Sequence, residues 1–211
     1  MIMRPRTLVT TGLRERKKLE VRERIAHAAF WLFFERGFDN VTVAEVAAQA
    51  ETSVQTVFNY FPTKEDLLLN GRRINEGMFL AAIADRPKGM SVIEAARRRV
   101  VAAADEFSRF DPVRANQFRS IVLSTPSILA RIRTLSAATE AEIARVIAED
   151  TAAEAGDPRP RIVASILMTL SHLSYFPSDD DVDTVRRRIE EAFALLAGGL
   201  AGYAVRGDHA G

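Results

Sequence analysis

Gln55 and Asn59 lie four residues apart, so on a helix they share one side. Each amide donates and accepts, so either can read a base edge or bind a phosphate; spacing alone leaves both roles open. Ser53 and Thr56 add small hydroxyls beside them. Small or polar groups are what a helix needs on a face that enters a major groove about 12 Å wide. Tyr60 and Lys64 fall at the end of that helix and the start of the next, where a phenol and an ammonium can hold backbone phosphates and set the docking register. Thr42 can do the same from the start of the preceding short helix, through its hydroxyl and the free N–H groups there. Residues 1–24 carry eight cations, Arg14, Lys17 and Lys18 among them, against three glutamates. That is a local charge of +5 on a chain whose total is +1. Such an arm is an electrostatic footprint for phosphate, and the same charge also suits a solvated terminus.

Other chemistry has little to work with. The chain has no cysteine, which excludes disulfides, Cys-ligated zinc, iron–sulfur clusters and thiolate catalysis. His27, His172 and His209 are dispersed, and His27 lies beside an apolar stripe as a structural residue would. Asp179, Asp180 and Asp181 lack the alternating oxygens and central glycine of a calcium loop; they suit a helix N-terminus instead. Gly198, Gly199 and Gly202 lie in a helical pattern and follow no strand, so they form no phosphate loop. An enzyme, a metal and a cofactor are therefore not expected. The apolar run Ala28–Phe34 is too short for a bilayer, which needs about 20 residues. No apolar stretch follows the N-terminal arginines, so a cytoplasmic protein without a membrane partner is the default expectation.

The elements that must position these residues read as helices. The 211 residues are 47% hydrophobic and 27% charged, ordinary for one or two globular domains. β-Branched alternation is rare, and prolines fall between periodic segments. Val21, Ile25, Ala28, Ala29, Leu32 and Phe33 recur at three and four, predicting a first helix from about Glu15 to Glu35 that stops at Gly37. Thr42 with Glu45 makes a capping box for a short second helix. Ser53 caps a third, Val54 to about Tyr60, whose Val57, Phe58 and Phe61 are expected to face inward. Thr63 with Asp66 opens a long fourth helix to about Ala84. Further helices are predicted to end near Phe107, Leu123, Ala155, Tyr175 and Tyr203, with starts marked by Ser91, Asp111, Pro126, Arg161 and Asp181. The fold class is thus all-α with about nine helices: a three-helix helix-turn-helix domain and then a larger helical bundle. Its parts are a basic arm at 1–14, the helix-turn-helix domain at 15–62, a connecting helix at 63–84, a larger bundle at 85–205, and a tail at 206–211.

The run from Thr42 to Ala50, then Glu51-Thr52-Ser53, then Thr56 to Leu68 with its Tyr60-Phe61-Pro62-Thr63-Lys64 junction, resembles the DNA-binding domain of the TetR family. So does the upstream pattern of Arg24, Ile25, Ala28, Ala29, Phe30, Leu32, Phe33, Gly37 and Phe38. The likeness spans residues 21–70. It implies an all-helical, homodimeric transcriptional regulator, usually a repressor, with double-stranded operator DNA and a small-molecule effector as partners. Two departures stand out. Glu51 and Thr52 replace the family's usual glycine and small aliphatic residue; a glutamate at φ > 0 is strained by about 1 kcal/mol or more. Phe58 replaces a frequent tyrosine and loses its hydroxyl.

The resemblance also implies a pocket in the larger domain. Phe79, Phe107, Phe110, Phe118, Met168, His172 and Tyr175 are the candidates, each equally readable as core. Their aromatic and sulfur groups suit a largely apolar effector, with His172 and Tyr175 able to orient it. The family pairs its last two long helices with those of a second copy. This assigns Ile166, Leu170, Ile189, Phe193, Leu196 and Leu200 to a dimer interface. A helical protein that binds ligands or partners through the larger domain, with an inactive DNA-binding head, is the alternative.

Overall fold

The computed structural model describes residues 12–109, 111–174 and 181–199. Expectations for the arm through residue 11, for Phe110, Tyr175, Leu200, Tyr203 and His209, and for the tail lie outside them. The described residues form ten α-helices and one short 3₁₀ helix. The chain divides into two compact units between Asn70 and Gly71.

The amino-terminal unit holds α1 (Leu13–Arg36), α2 (Val43–Gln49), α3 (Val54–Tyr60) and α4 (Lys64–Leu68). Gly37 ends α1 at φ 83°, its N–H donating to the Phe33 carbonyl. Both expected capping boxes form: Thr42 with Glu45 and Thr63 with Asp66 each exchange side-chain and backbone bonds. Ile25, Phe33, Val46, Val57, Phe61 and Leu67 are buried between these helices. Each such side chain contributes about 1.5–3 kcal/mol by leaving water. Phe33 lies at the centre, its ring 5.0 Å from that of Phe38.

Phe58 departs from its expected inward position. It is 42% exposed, while its neighbours Val57 and Phe61 are fully buried. Seven residues make only two turns, and Val57 with Phe61 already fills the inward side.

The α2–α3 turn is a Schellman motif. Glu51 N–H donates to the Ala48 carbonyl and Thr52 N–H to that of Ala47, with Glu51 at φ 48°. The strain expected of a glutamate at this position is therefore present. Arg24 braces the turn from α1, its Nε donating to the Ala50 carbonyl at 2.9 Å.

The helix expected from Thr63 to Ala84 is interrupted. α4 ends at Leu68, Leu69 adopts φ −86°, ψ 10°, and α5 runs from Asn70 to Ala84. Asn70 and Gly71 are poor helix formers. Asn70 Oδ1 also accepts from Arg22 Nε at 3.2 Å and Nη2 at 2.8 Å, tying the junction to α1.

The carboxy-terminal unit takes up α5 after Asn70 and adds α6 (Val92–Phe107), α7 (Pro112–Ser124), α8 (Pro126–Asp150), α9 (Arg159–Ser171), a 3₁₀ turn (His172–Ser174) and α10 (Val182–Gly198). Its core joins Phe79 and Ile83 of α5, Ala96, Val100 and Ala104 of α6, Ile143 and Ile147 of α8, Leu167 and Met168 of α9, and Ile189 and Phe193 of α10. α8 stops five residues earlier than expected, in a second Schellman motif. Ala152 N–H donates to Glu149 and Ala153 N–H to Ala148, with Ala152 at φ 48°. α9 tightens into the 3₁₀ turn before Tyr175, and α10 ends at Gly199, φ 80°, before Tyr203. No helix among the described residues is long and apolar enough to cross a membrane.

Candidate nucleic-acid interface

α3 turns a narrow face to solvent. Val54, Gln55, Phe58 and Asn59 are exposed, Thr56 and Tyr60 half-buried, and Val57 buried. At 100° per residue the four exposed side chains fall within one sector of the helix. Gln55 Nε2 donates to Asn59 Oδ1 at 3.2 Å, which places the two amides side by side as their spacing predicts. The Ser53 and Thr56 hydroxyls are 2.8 Å apart, and Ser53 Oγ also accepts from Thr56 N–H. Ser53 is thus committed to capping α3, and the amides are the groups on this face able to bond outward.

The first turns of α1 supply charge. Arg14, Lys17 and Lys18, with Glu15, Val21 and Tyr60, line one shallow groove of about 460 Å³. Four of the residues singled out from sequence for phosphate contact therefore meet in one place. Arg14, Lys17 and Lys18 belong to a regular helix, α1, rather than to an extended arm.

The other two phosphate candidates are held by neighbours. Lys64 Nζ sits 4.3 Å from the Phe38 ring centroid and 5.9 Å from that of Phe33. This cation–π seat fixes the ammonium at the junction of α4 with the core. Thr42 N–H and hydroxyl both donate to Glu45 Oε2, at 2.7 and 2.8 Å. These bonds, with Arg36 2.7 Å from Glu45 Oε1, hold the Glu45 carboxyl down to about 2. It stays ionised beside the N-terminus of α2, opposing an approaching phosphate while braced by Arg36.

The larger unit places the ligand-pocket candidates differently from one another. Phe79 and Met168 lie in its hydrophobic core, and Phe107 and Phe118 are half-buried on α6 and α7. His172 enters a buried polar cluster that the sequence reading missed. Arg72 is 8% exposed and Glu76 4%. Arg72 Nε lies 2.9 Å from Glu76 Oε1, and Arg72 Nη2 donates to Ser136 Oγ at 3.1 Å and to His172 Nε2 at 2.8 Å. Ser136 and Thr139 both donate to Glu76. Since a guanidinium only donates, His172 Nε2 must be the bare acceptor nitrogen. Burial and then the nearby Arg72 push His172 down to about 4. The clue in the chain was the i, i+4 pair Arg72–Glu76; nothing local marked it as buried. A second partly buried cation, Arg99, reaches Asn75 on α5 and Glu106 on its own helix.

Of the residues assigned to a dimer interface, Ile166, Leu170 and Leu196 are half-buried. Ile189 and Phe193 are 0% and 2% exposed inside the unit's own core, so they present no surface. Ile162, Leu173 and Leu195 are the large apolar side chains that α9, the 3₁₀ turn and α10 expose.

Comparison with known proteins agrees with this division. A family model described as bacterial regulatory proteins, tetR family, matches residues 25–70, and one described as the MftR C-terminal domain matches residues 90–201. The HTH-type transcriptional regulator TcmR of Streptomyces glaucescens is 28% identical over 195 residues, 88% of this chain and 86% of that protein. Among solved structures, Salmonella enterica GusR matches with a TM-score of 0.56 at 16% identity, over 85% of this chain and 95% of that one. Native NalD, the secondary repressor of the MexAB-OprM multidrug efflux pump in Pseudomonas aeruginosa, matches with a TM-score of 0.55 at 18% identity, over 83% of this chain and 96% of that one. At these identities the two structures speak for the fold.

Proposed function

The chain belongs to the TetR family of bacterial transcriptional regulators, and we propose that it acts as a homodimeric repressor that binds a pseudo-palindromic operator and is released by a small, largely apolar effector. The observation that carries the DNA-binding half is the joint exposure of Gln55 and Asn59 on α3 beside a groove lined by Arg14, Lys17, Lys18 and Tyr60. α3 enters the major groove, and the cations and Tyr60 hold the backbone on its flank. Thr42 and Lys64 add phosphate contacts once Glu45 and the Phe38 ring yield them.

The exposed Ile162, Leu173 and Leu195, with half-buried Ile166, Leu170 and Leu196, support pairing through the last two helices. A two-fold axis there presents two α3 helices to half-sites about 34–36 Å apart. The effector binds in the larger domain, near His172 and the half-buried Phe107 and Phe118. It shifts the population between operator-competent and incompetent states.

The test is selection of duplexes from a random library at near-physiological salt, with sedimentation of the free protein. An enriched inverted repeat and a dimer are expected. Enrichment no better than that of a Lys64→Ala, Gln55→Ala double variant overturns the reading in favour of a ligand-binding protein with an inactive head.

A further inference from the structure

The exposed face of α3 is divided lengthwise into two ridges. Val54 and Phe58, one turn apart, are 39% and 42% exposed and form an apolar ridge. Gln55 and Asn59, also one turn apart and hydrogen-bonded to each other, form an amide ridge beside it. The helix and its cap, Ser53–Tyr60, contain neither arginine nor lysine.

Val54 and Phe58 are the large apolar side chains exposed on a seven-residue helix whose other exposed groups are polar. Major-groove chemistry supplies the matching surface. Thymine presents a C5 methyl and an O4 acceptor; adenine presents N7 and an N6 amino group, which Asn or Gln meets with paired bonds. Guanine is most often read by arginine or lysine, and α3 offers neither. An apolar ridge beside an amide ridge is therefore complementary to the two edges of an A·T pair.

We propose that α3 reads A·T base pairs, with Phe58 and Val54 packed on thymine methyl groups and Gln55 and Asn59 bonded to the adenine edge. This rests on the regulator reading above and goes beyond it by naming the bases. It also gives the missing phenol hydroxyl at Phe58 a consequence: a bare ring packs on a methyl without burying an unpaired donor.

The test takes the duplex enriched by the full-length protein and replaces its thymines one at a time by uracil, which differs only in lacking the methyl. A·T pairs are expected at the two or three central positions of each half-site. Uracil there should weaken binding about fourfold per methyl, from the transfer free energy of one buried carbon. Phe58→Ala and Val54→Ala should bind thymine and uracil duplexes equally, each at its own position. Gln55→Ala should keep the thymine preference and lose adenine discrimination. Phe58 and Val54 are exposed, so both variants should melt within a degree or two of the parent, which a thermal scan checks. G·C pairs at those positions, no uracil effect, or a uracil effect that persists in both alanine variants would overturn the assignment while leaving a site-specific regulator. Failure to enrich any duplex would instead remove the regulator reading, and this assignment with it.

Discussion

The amino-terminal unit keeps its cations at the surface, and the carboxy-terminal unit draws some of them inside. Arg14, Lys17 and Lys18 are exposed around an open groove, where a polyanion can reach them. Arg72 and Arg99 are at most 9% exposed, and their donors are directed at Glu76, Ser136, His172, Asn75 and Glu106. The same residue type thus serves two ends. A solvated guanidinium contributes little to stability and is available for binding. A buried one is unavailable, and its removal from water is offset by the carboxylates of Glu76 and Glu106 and the acceptors beside them. On the proposed function the surface charge around α1 serves recognition, while interior charge fixes how α5, α8 and the turn after α9 meet.

The largest test of that contrast is Glu76→Ala. It leaves Arg72 buried without its carboxylate and should lower stability by about 3–5 kcal/mol. Glu45→Ala, which breaks an exposed pair and a capping box, should lower it far less. Denaturant unfolding of both variants checks this, and equal losses would erase the distinction between the units.

Acid should reach the larger unit through His172. A histidine whose folded value lies near 4 binds its proton in the unfolded chain first, so stability should fall as pH drops from about 6.5 towards 4 and stay level above that window. The loss should be about 2 kcal/mol, discounted for the solvent that still reaches the ring. His172→Gln should flatten the profile of melting temperature over this range. Glu45, held low, gives up its contribution over a lower window, as pH falls from about 4.5 through about 2.

Lys17→Ala and Lys18→Ala should weaken binding to every duplex alike, and each should reduce the slope of log affinity against log salt by about 1. Neither should shift stability by more than about 0.5 kcal/mol.

The smallest effect concerns the two left-handed turns. Glu51→Gly and Ala152→Gly both relieve a residue at φ 48° and should each stabilise by about 0.5–1 kcal/mol. Only Glu51→Gly should also tighten operator binding, because it removes a carboxylate from the turn before α3. Glu51→Gln, which removes the charge and keeps φ 48°, should tighten binding as much; no gain there would assign the effect to the backbone.

Local chemistry carried most of what the chain disclosed in advance. Thr42 with Glu45, Ser53 with Thr56, and Thr63 with Asp66 are bonds between residues three apart, so their geometry is set wherever a helix starts. The strain at Glu51 was legible for the same reason. What depended on distant partners was not. Phe58 reads as a core residue until Val57 and Phe61 are seen to fill the inward side. Arg72 and Glu76 carry no local sign that Ser136, Thr139 and His172 close over them. Ile189 and Phe193 read as interface residues because the apolar stripe of α10 does not say which neighbour it meets. The break at Leu69 turns on the bond from Arg22 to Asn70, 48 residues apart.

The Arg72–His172 bond spans 100 residues and the Arg97–Glu190 pair spans 93, whereas the Arg22–Asn70 bond that ties the end of the first unit to α1 spans 48. On the ribosome this difference becomes a schedule. Chain grows at about 5–20 residues per second. The first unit has all its partners once Asn70 has emerged, while α5 and α6 wait about 5–20 s for α9 and α10, with Val100 and Ala104 uncovered meanwhile. The protein should therefore complete its helix-turn-helix head well before its larger bundle, and translation that stalls after α8 would leave a finished head on an adhesive, unfinished bundle.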